Sequence, residues 1–236
     1  MLTQEVKDAA IDHARRDYPR ESCGLVVIVK GRQVYWPAEN LSRERDVFII
    51  NPNDYAAADD AGEVVAVIHS HPDLPAEPSQ ADRTACEASA LPWFIVSLPG
   101  LSWADLYPSG YKSPLVGRQW AHGVQDCYSL VRDWYAQEMG LQLPDFYRED
   151  EWWLKGQNLY LDNFEACGFV EVPFSEIQPG DALLMKIFSP VPCHAAIYLG
   201  DEMILHHMHG KLSCRERLTG PYLSRVSNVV RYNSPL

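Results

Sequence analysis

The residues of this chain that could do chemistry fall into two groups, and the first is His69 and His71 followed by Ser79 and Asp82. The apolar run Val64-Val65-Ala66-Val67-Ile68 reads as a strand that delivers both histidines at its carboxyl end. Residues two apart on a strand face one side, so both imidazoles can reach one ion. Ser79 and Asp82 lie three apart, after Pro78, at the start of a helix continued by Ala85, Cys86 and Ala88. Taken alone, such a pair is a helix cap, with the carboxylate favouring the positive end of the helix. With His-x-His just upstream, two imidazoles, one carboxylate and an open fourth position form the donor set of a catalytic zinc.

The second group centres on Cys127. Asp126 reads as the N-cap of an amphipathic helix in which Cys127, Leu130, Val131, Trp134 and Glu138 recur at three and four residues, and Gly140 ends it. A thiol at a helix N-terminus meets the positive end of the dipole, so a lowered pKa is expected; the competing reading is a small buried apolar residue. A base decides between them. Past the turn Ile177-Gln178-Pro179-Gly180-Asp181, three strands are expected at Ala182–Met185, at 194–200 and at Met203–His206. Two adjacent antiparallel strands can hold His194 and His206 together, one as base and one as its orienter. His207 and His209 should face away from His206 on an extended strand, and a further metal site using Cys193, His207 or His209 has no supporting ligand spacing.

The elements that must position these groups follow from periodicity and punctuation. A helix from Thr3 to Asp17 is stopped by Pro19, and a hairpin of strands at 24–29 and 33–36 follows, with Glu21 just ahead of it. A short strand at Phe48–Ile50, a helix at 52–62, a buried strand at Trp93–Ser97 and a short one at 103–107 complete the first half. In the second half, the stretch from Glu151 to Phe164 reads as a helix whose aromatics fit a core better than a carbohydrate platform, with glycan stacking as the alternative for any exposed Trp or Tyr near Cys127. Turn formers without periodicity at about 108–114 mark a linker, giving domains 1–110 and 111–236. A chain of 236 residues is comfortable for two such domains, which cluster near roughly 100–150 residues.

A net charge of −12 disfavours nucleic acid and anionic membranes as partners. No apolar stretch approaches the roughly 20 residues of a membrane span, and the start lacks a signal-peptide pattern, so no membrane anchor and synthesis in the cytoplasm are expected. Six scattered cysteines without a Cys-x-x-Cys pair are not a disulfide framework; Cys86, Cys167 and Cys214 read as structural.

Two resemblances join these readings. His69-x-His71, then Ser79-x-x-Asp82, with Pro19-Arg20-Glu21-Ser22-Cys23-Gly24 upstream, resembles the JAMM signature of zinc isopeptidases and related bacterial and phage metallopeptidases. The resemblance implies a mixed sheet with flanking helices, similar to the cytidine-deaminase fold, and zinc held by His69, His71 and Asp82. It further implies Glu21 as proton shuttle and Ser79 as oxyanion donor. Asp126-Cys127, Leu143-Pro144, Pro179-Gly180-Asp181, His194 through Gly200 and His206 resemble the papain-like NlpC-type cysteine peptidases that cut peptide stems of bacterial cell walls. By that resemblance Cys127 is the nucleophile, His194 the base and then acid, and His206 the orienter, in an α+β domain. Tyr128-Ser129 departs from the Ser-Gly that many members carry there.

The order JAMM then NlpC-type resembles the tail-assembly or tail-tip hydrolases of lambdoid phages. It implies an α+β chain of two peptidase domains, peptidoglycan stem peptides as substrate and other tail-tip proteins as partners. It also implies assembly in the host cytoplasm and action in the periplasm from the virion tail on entry. Two rivals stand beside it: a structural tail-tip protein with silent sites, and a host cytosolic isopeptidase.

Overall fold

The computed structural model describes residues 1–98 and 100–233, and the chain divides into two compact units between Lys112 and Ser113. Each unit is α+β.

The first unit is built on a five-stranded sheet of order β2-β1-β3-β4-β5, with β1 at Cys23–Val29, β2 at Arg32–Ala38, β3 at Glu63–His71, β4 at Trp93–Ser97 and β5 at Trp103–Leu106. Only β3 and β4 run parallel; their connection carries helix α3, Gln80–Ser89. Helix α1, Gln4–Asp17, starts where the Thr3 hydroxyl accepts the Val6 N–H. Its Val6 and Ala10 pack on Val26, Ala66 and Ile68 of one sheet face. Strand alternation sends Leu25, Val27 and Val67 to the other face, against Ala58 of α2 (Pro52–Ala61) and Cys86 of α3. Leu25 and Ile68 are fully buried, each contributing about 1.5–3 kcal/mol relative to exposure. Because His69 and His71 continue the alternation of Val67, they lie on the α3 side.

The second unit carries an antiparallel sheet of order β10-β9-β8-β7-β11-β6. In chain order these are β6 at Phe169–Val172, β7 at Ala182–Met185, β8 at His194–Gly200, β9 at Met203–His206, β10 at Cys214–Arg217 and β11 at Val226–Tyr232. Helix α4, Cys127–Met139, lays Leu130, Val131 and Tyr135 over Leu184, Ala195, Ile197 and Val230. Gly140 closes α4 in the left-handed conformation at φ 69°, and the Tyr135 hydroxyl pins the helix by donating to the Gly180 carbonyl at 2.6 Å. The opposite sheet face buries Leu183, Met185, Ala196 and Ile204. At the sheet's heart, Arg231 grips both carboxylate oxygens of Asp181 at 2.8 Å.

Two expectations are corrected. Phe48–Ile50 is not a strand: Ile50 forms a single bridge with Asn40, and the Asn40 side chain takes the Ile49 N–H that a ladder would need. The stretch 151–164 is not one helix. It breaks at Gly156 (φ 79°) into a 3₁₀ turn, Trp152–Leu154, and the short α5, Leu159–Asn163. Strands β6, β10 and β11, and the single-turn α6 at Gly220–Leu223, go beyond what periodicity indicates.

Candidate active sites

In the first unit, β3 and the α3 cap bring together three of the named residues. The His69 and His71 Nε2 atoms are 3.2 Å apart, His69 Nε2 is 3.2 Å from Asp82 Oδ1, and His71 Nε2 is 3.7 Å from Asp82 Oδ2. All three side chains are buried. Ser79 and Asp82 do form a capping box: the Ser79 hydroxyl accepts the Asp82 N–H at 3.0 Å, and Asp82 Oδ2 accepts the Ser79 N–H at 2.7 Å. Capping and ligation are thus compatible, because the cap fixes the carboxylate while Oδ1 faces His69. Ser79 itself is exposed and, as an acceptor in the cap, keeps its own proton to donate.

These donors fit a zinc ion. Zinc bonds of about 2.0–2.1 Å in a tetrahedron place ligand atoms about 3.3 Å apart, close to the spacings found. His71 Nδ1 lies 2.7 Å from the Pro75 carbonyl; donating there, the neutral ring turns a bare Nε2 inward. Two ring nitrogens and a carboxylate crowded in a buried place need a cation or a proton between them. The same crowding appears in the titration. Against burial, His69 and His71 hold the Asp82 carboxyl well below its usual range; against burial again, Asp82 and the Pro75 carbonyl raise His71.

Glu21 stands beside this cluster, with Oε1 4.0 Å from His71 Nε2. Burial pushes its carboxyl up to about 7, against the pull of His69 and His71. Sequence reasoning missed what places it. Asn40 donates through Nδ2 to the Glu21 and Val47 carbonyls and accepts the Ser42 and Ile49 N–H groups, so one buried amide knots the loop around Glu21. Phe48 stacks on the His69 ring at 4.7 Å.

In the second unit, Cys127 heads α4 behind the N-cap Asp126, whose carboxylate accepts the Ser129 N–H at 2.8 Å. Arg148 ties Asp126 in place at 2.8 Å and, against burial, holds its carboxyl below the usual range. The expected lowering of the Cys127 pKa is overturned: burial first, then the Asp126 carboxylate, push the thiol up to about 11. Desolvation outweighs the hydrogen bonds and the Arg148 charge that favour the thiolate. The thiol also meets the Tyr160 hydroxyl at 3.3 Å.

His194 lines the same cleft as Cys127 and is buried; burial, with His206 and His207 next, pushes it down to about 3. The β8–β9 register brings His206 beside it, with His194 Nε2 3.2 Å from His206 Nδ1. Beyond lies a residue that sequence reasoning missed. Glu216 of β10 sits with Oε2 2.9 Å from His206 Nε2, and that hydrogen bond lowers its carboxyl pKa. Cys214 pairs directly with His206, so Glu216, two further on, shares its face. A carboxylate only accepts, so His206 Nε2 carries the proton and Nδ1 receives the His194 Nε2–H. Nδ1 of His194 is left without a proton, on a ring that lines the cleft of Cys127.

His207 and His209 do not extend the strand, which ends at His206. His207 turns inward to the Lys211 carbonyl at 3.1 Å, and His209 lines the Cys127 cleft with Trp120, Trp152 and Trp153. The aromatic pair Trp152 and Trp153 is therefore cleft wall as well as packing.

Comparison with known proteins places both units. Residues 3–104 match the model of prokaryotic homologs of the JAB domain, and residues 115–231 match the NlpC/P60 family. The tail tip assembly protein K of Escherichia phage N15 is 39% identical over 98% of this chain and 96% of its own length. That of Escherichia phage lambda is 45% identical over 78% of this chain and 90% of its own. The first unit alone is similar to a CysO-cysteine peptidase of Mycobacterium tuberculosis, 31% identical over 38% of this chain and 68% of that protein. With its JAB-type unit followed by an NlpC/P60-type unit, the chain belongs to the phage tail tip assembly protein K family.

Proposed function

We propose that the chain is a tail-tip peptidase with two hydrolytic centres, of which the thiol centre cleaves peptide stems of peptidoglycan during cell entry. The observation that carries this reading is the chain of hydrogen-bonded groups His194, His206 and Glu216 ending in the cleft of Cys127.

Cys127 Sγ attacks the scissile carbonyl carbon while its proton passes to His194 Nδ1. The imidazolium so formed is stabilised through His206 by the Glu216 carboxylate, and it then protonates the leaving amine. A water molecule, giving its proton to His194, releases the acyl group as a carboxylate and restores the thiol. The Cys127 N–H, at the open end of α4, is placed to receive the oxyanion, since Asp126 caps Ser129 instead. The walls of Trp120, Trp152, Trp153 and Tyr160, with Asp150, suit a substrate bearing short apolar side chains and a positive charge.

In the JAB-type unit, His69, His71 and Asp82 would hold zinc, which when bound supplies Lewis-acid polarisation of a peptide carbonyl and of water. Glu21 takes a proton at Oε1 and returns it to the leaving amine, and Ser79 donates to the oxyanion. Other tail-tip proteins are the natural partners, given the family, and the host cytoplasm, virion tail and periplasm its successive sites. Purified chain incubated with intact peptidoglycan should release stem-peptide fragments identifiable by mass. A Cys127→Ala chain that releases the same fragments at the same rate overturns the thiol mechanism.

A further inference from the structure

Among the described residues, the His/Cys/Asp/Glu groups close enough to share an ion are His69-His71-Asp82 and a second, His206-Cys214-Glu216. We propose that this second group is a zinc site, and that filling it switches the thiol centre off. The site rests on geometry alone; the switching rests on the peptidase reading above.

The three donor atoms lie within 4.8 Å of one another, with His206 Nε2 2.9 Å and Cys214 Sγ 3.9 Å from Glu216 Oε2. Register explains why they meet. Cys214 is directly opposite His206 across the β9–β10 ladder, and Glu216 is its same-face neighbour. Imidazole, thiolate and carboxylate together suit zinc better than magnesium or calcium. Their burial grades from inside to outside: His206 is buried, Cys214 half-buried, and the Glu216 side chain 47% exposed. An ion can therefore enter from solvent, and the half-buried Cys214 and exposed Glu216 side chains are the ones free to adjust their spacing around it. The edge of Tyr222 against His206, 4.9 Å between centroids, holds the ring that must stay still. None of Cys193, His207 and His209 belongs to this group.

The consequence follows from proton positions. With Glu216 accepting from His206 Nε2, the chain of bonds leaves His194 Nδ1 bare. An ion on His206 Nε2 displaces that proton, so neutral His206 carries its hydrogen on Nδ1 and donates toward His194 Nε2. His194 then accepts at Nε2 and carries its own hydrogen on Nδ1, where the thiol proton was to go. One proton leaves Cys214 for solvent; the two imidazoles keep one hydrogen each. The base is turned round by a change in which ring nitrogens carry hydrogen, with His194 and His206 keeping their places in the sheet.

Cobalt(II) titrated into the full chain reads the site, because a sulfur-to-cobalt charge-transfer band in the near ultraviolet requires a thiolate ligand and the His69-His71-Asp82 cluster has none. The band is expected in the wild-type chain and in Cys127→Ser, weaker in Glu216→Gln, and lost in Cys214→Ser. No band in the wild-type chain, or a band that survives Cys214→Ser, overturns the site. The switch is read as the ratio of stem-peptide cleavage rates with and without zinc, expected to fall in the wild-type chain and to stay near one in Cys214→Ser. Equal inhibition of both chains overturns the switch, since zinc would then act at Cys127 directly. A wild-type chain without any cleavage refutes the peptidase reading and leaves the band to decide the site.

Discussion

The two centres solve opposite electrostatic problems. In the JAB-type unit, two imidazoles and a carboxylate converge with spacings of 3.2–3.7 Å in a buried place, an arrangement that wants positive charge. In the NlpC/P60-type unit, burial favours the neutral forms of Cys127 and His194: the thiol is pushed up to about 11 and the imidazole down to about 3. The second site continues as hydrogen bonds running outward to Glu216. Similar residue types, histidine and carboxylate, are thus arranged as ligands for an ion would be in one unit and as a line of hydrogen-bonded pairs in the other. What differs is whether three donor atoms converge on one point or follow one another in sequence.

The largest effect expected from breaking this contrast is on the thiol. Cys127→Ala should lower release of wall fragments by about a thousandfold or more, as removal of a nucleophile does elsewhere, with zinc content unchanged. Asp82→Asn should do the reverse: elemental analysis finds at least about tenfold weaker zinc retention in the JAB-type unit, while fragment release persists. Equal loss of lysis in both variants would mean that the centres are not independent.

A smaller effect isolates the relay. Glu216→Gln keeps an acceptor oxygen but removes the charge that stabilises the imidazolium, so kcat should fall about tenfold with KM little changed. A rise in KM alone would reassign Glu216 to substrate binding.

The neutral pair gives a pH prediction that an ion pair would not. Iodoacetamide should modify Cys127 about tenfold faster per pH unit through the neutral range, without a plateau before about 11. A plateau below pH 7 would mean that the thiolate forms early. Stability gives the mildest test. His194 is held below its unfolded value of 6.5, so the unfolded chain binds the proton first. Its contribution is full above pH 6.5 and is lost as pH falls toward 3. His194→Gln should flatten the acid side of the unfolding profile of the NlpC/P60-type unit by about one proton.

Much of this was legible before the structure. The capped starts of α1 and α4, the strand ending in His69 and His71, and the β8–β9 hairpin all carry local signals that tertiary packing left in force. Those that failed were decided at a distance. Phe48–Ile50 has the composition of a strand, but the Ile49 N–H goes to the side chain of Asn40 and the Phe48 ring to His69. The rise of the Cys127 pKa comes from burial and then the Asp126 carboxylate, against Tyr160 and Arg148, and the depth of that burial is not revealed by helix position. Glu216 is one acidic residue among many until the pairing of β10 with β9 sets it beside His206. Its nearest sequence signal, the alternation of Cys214 and Glu216, becomes meaningful only with a partner strand.

The independence of the two centres is tested most directly by digestion of intact peptidoglycan with the chain stripped of metal by a chelator, its fragments identified by mass. Stem cleavage is expected at the full rate or faster, because the proposed thiol relay needs no ion and an ion at Cys214 would only hinder it. Cleavage that disappears with the zinc and returns with it would contradict the account and move the lytic work to His69, His71 and Asp82.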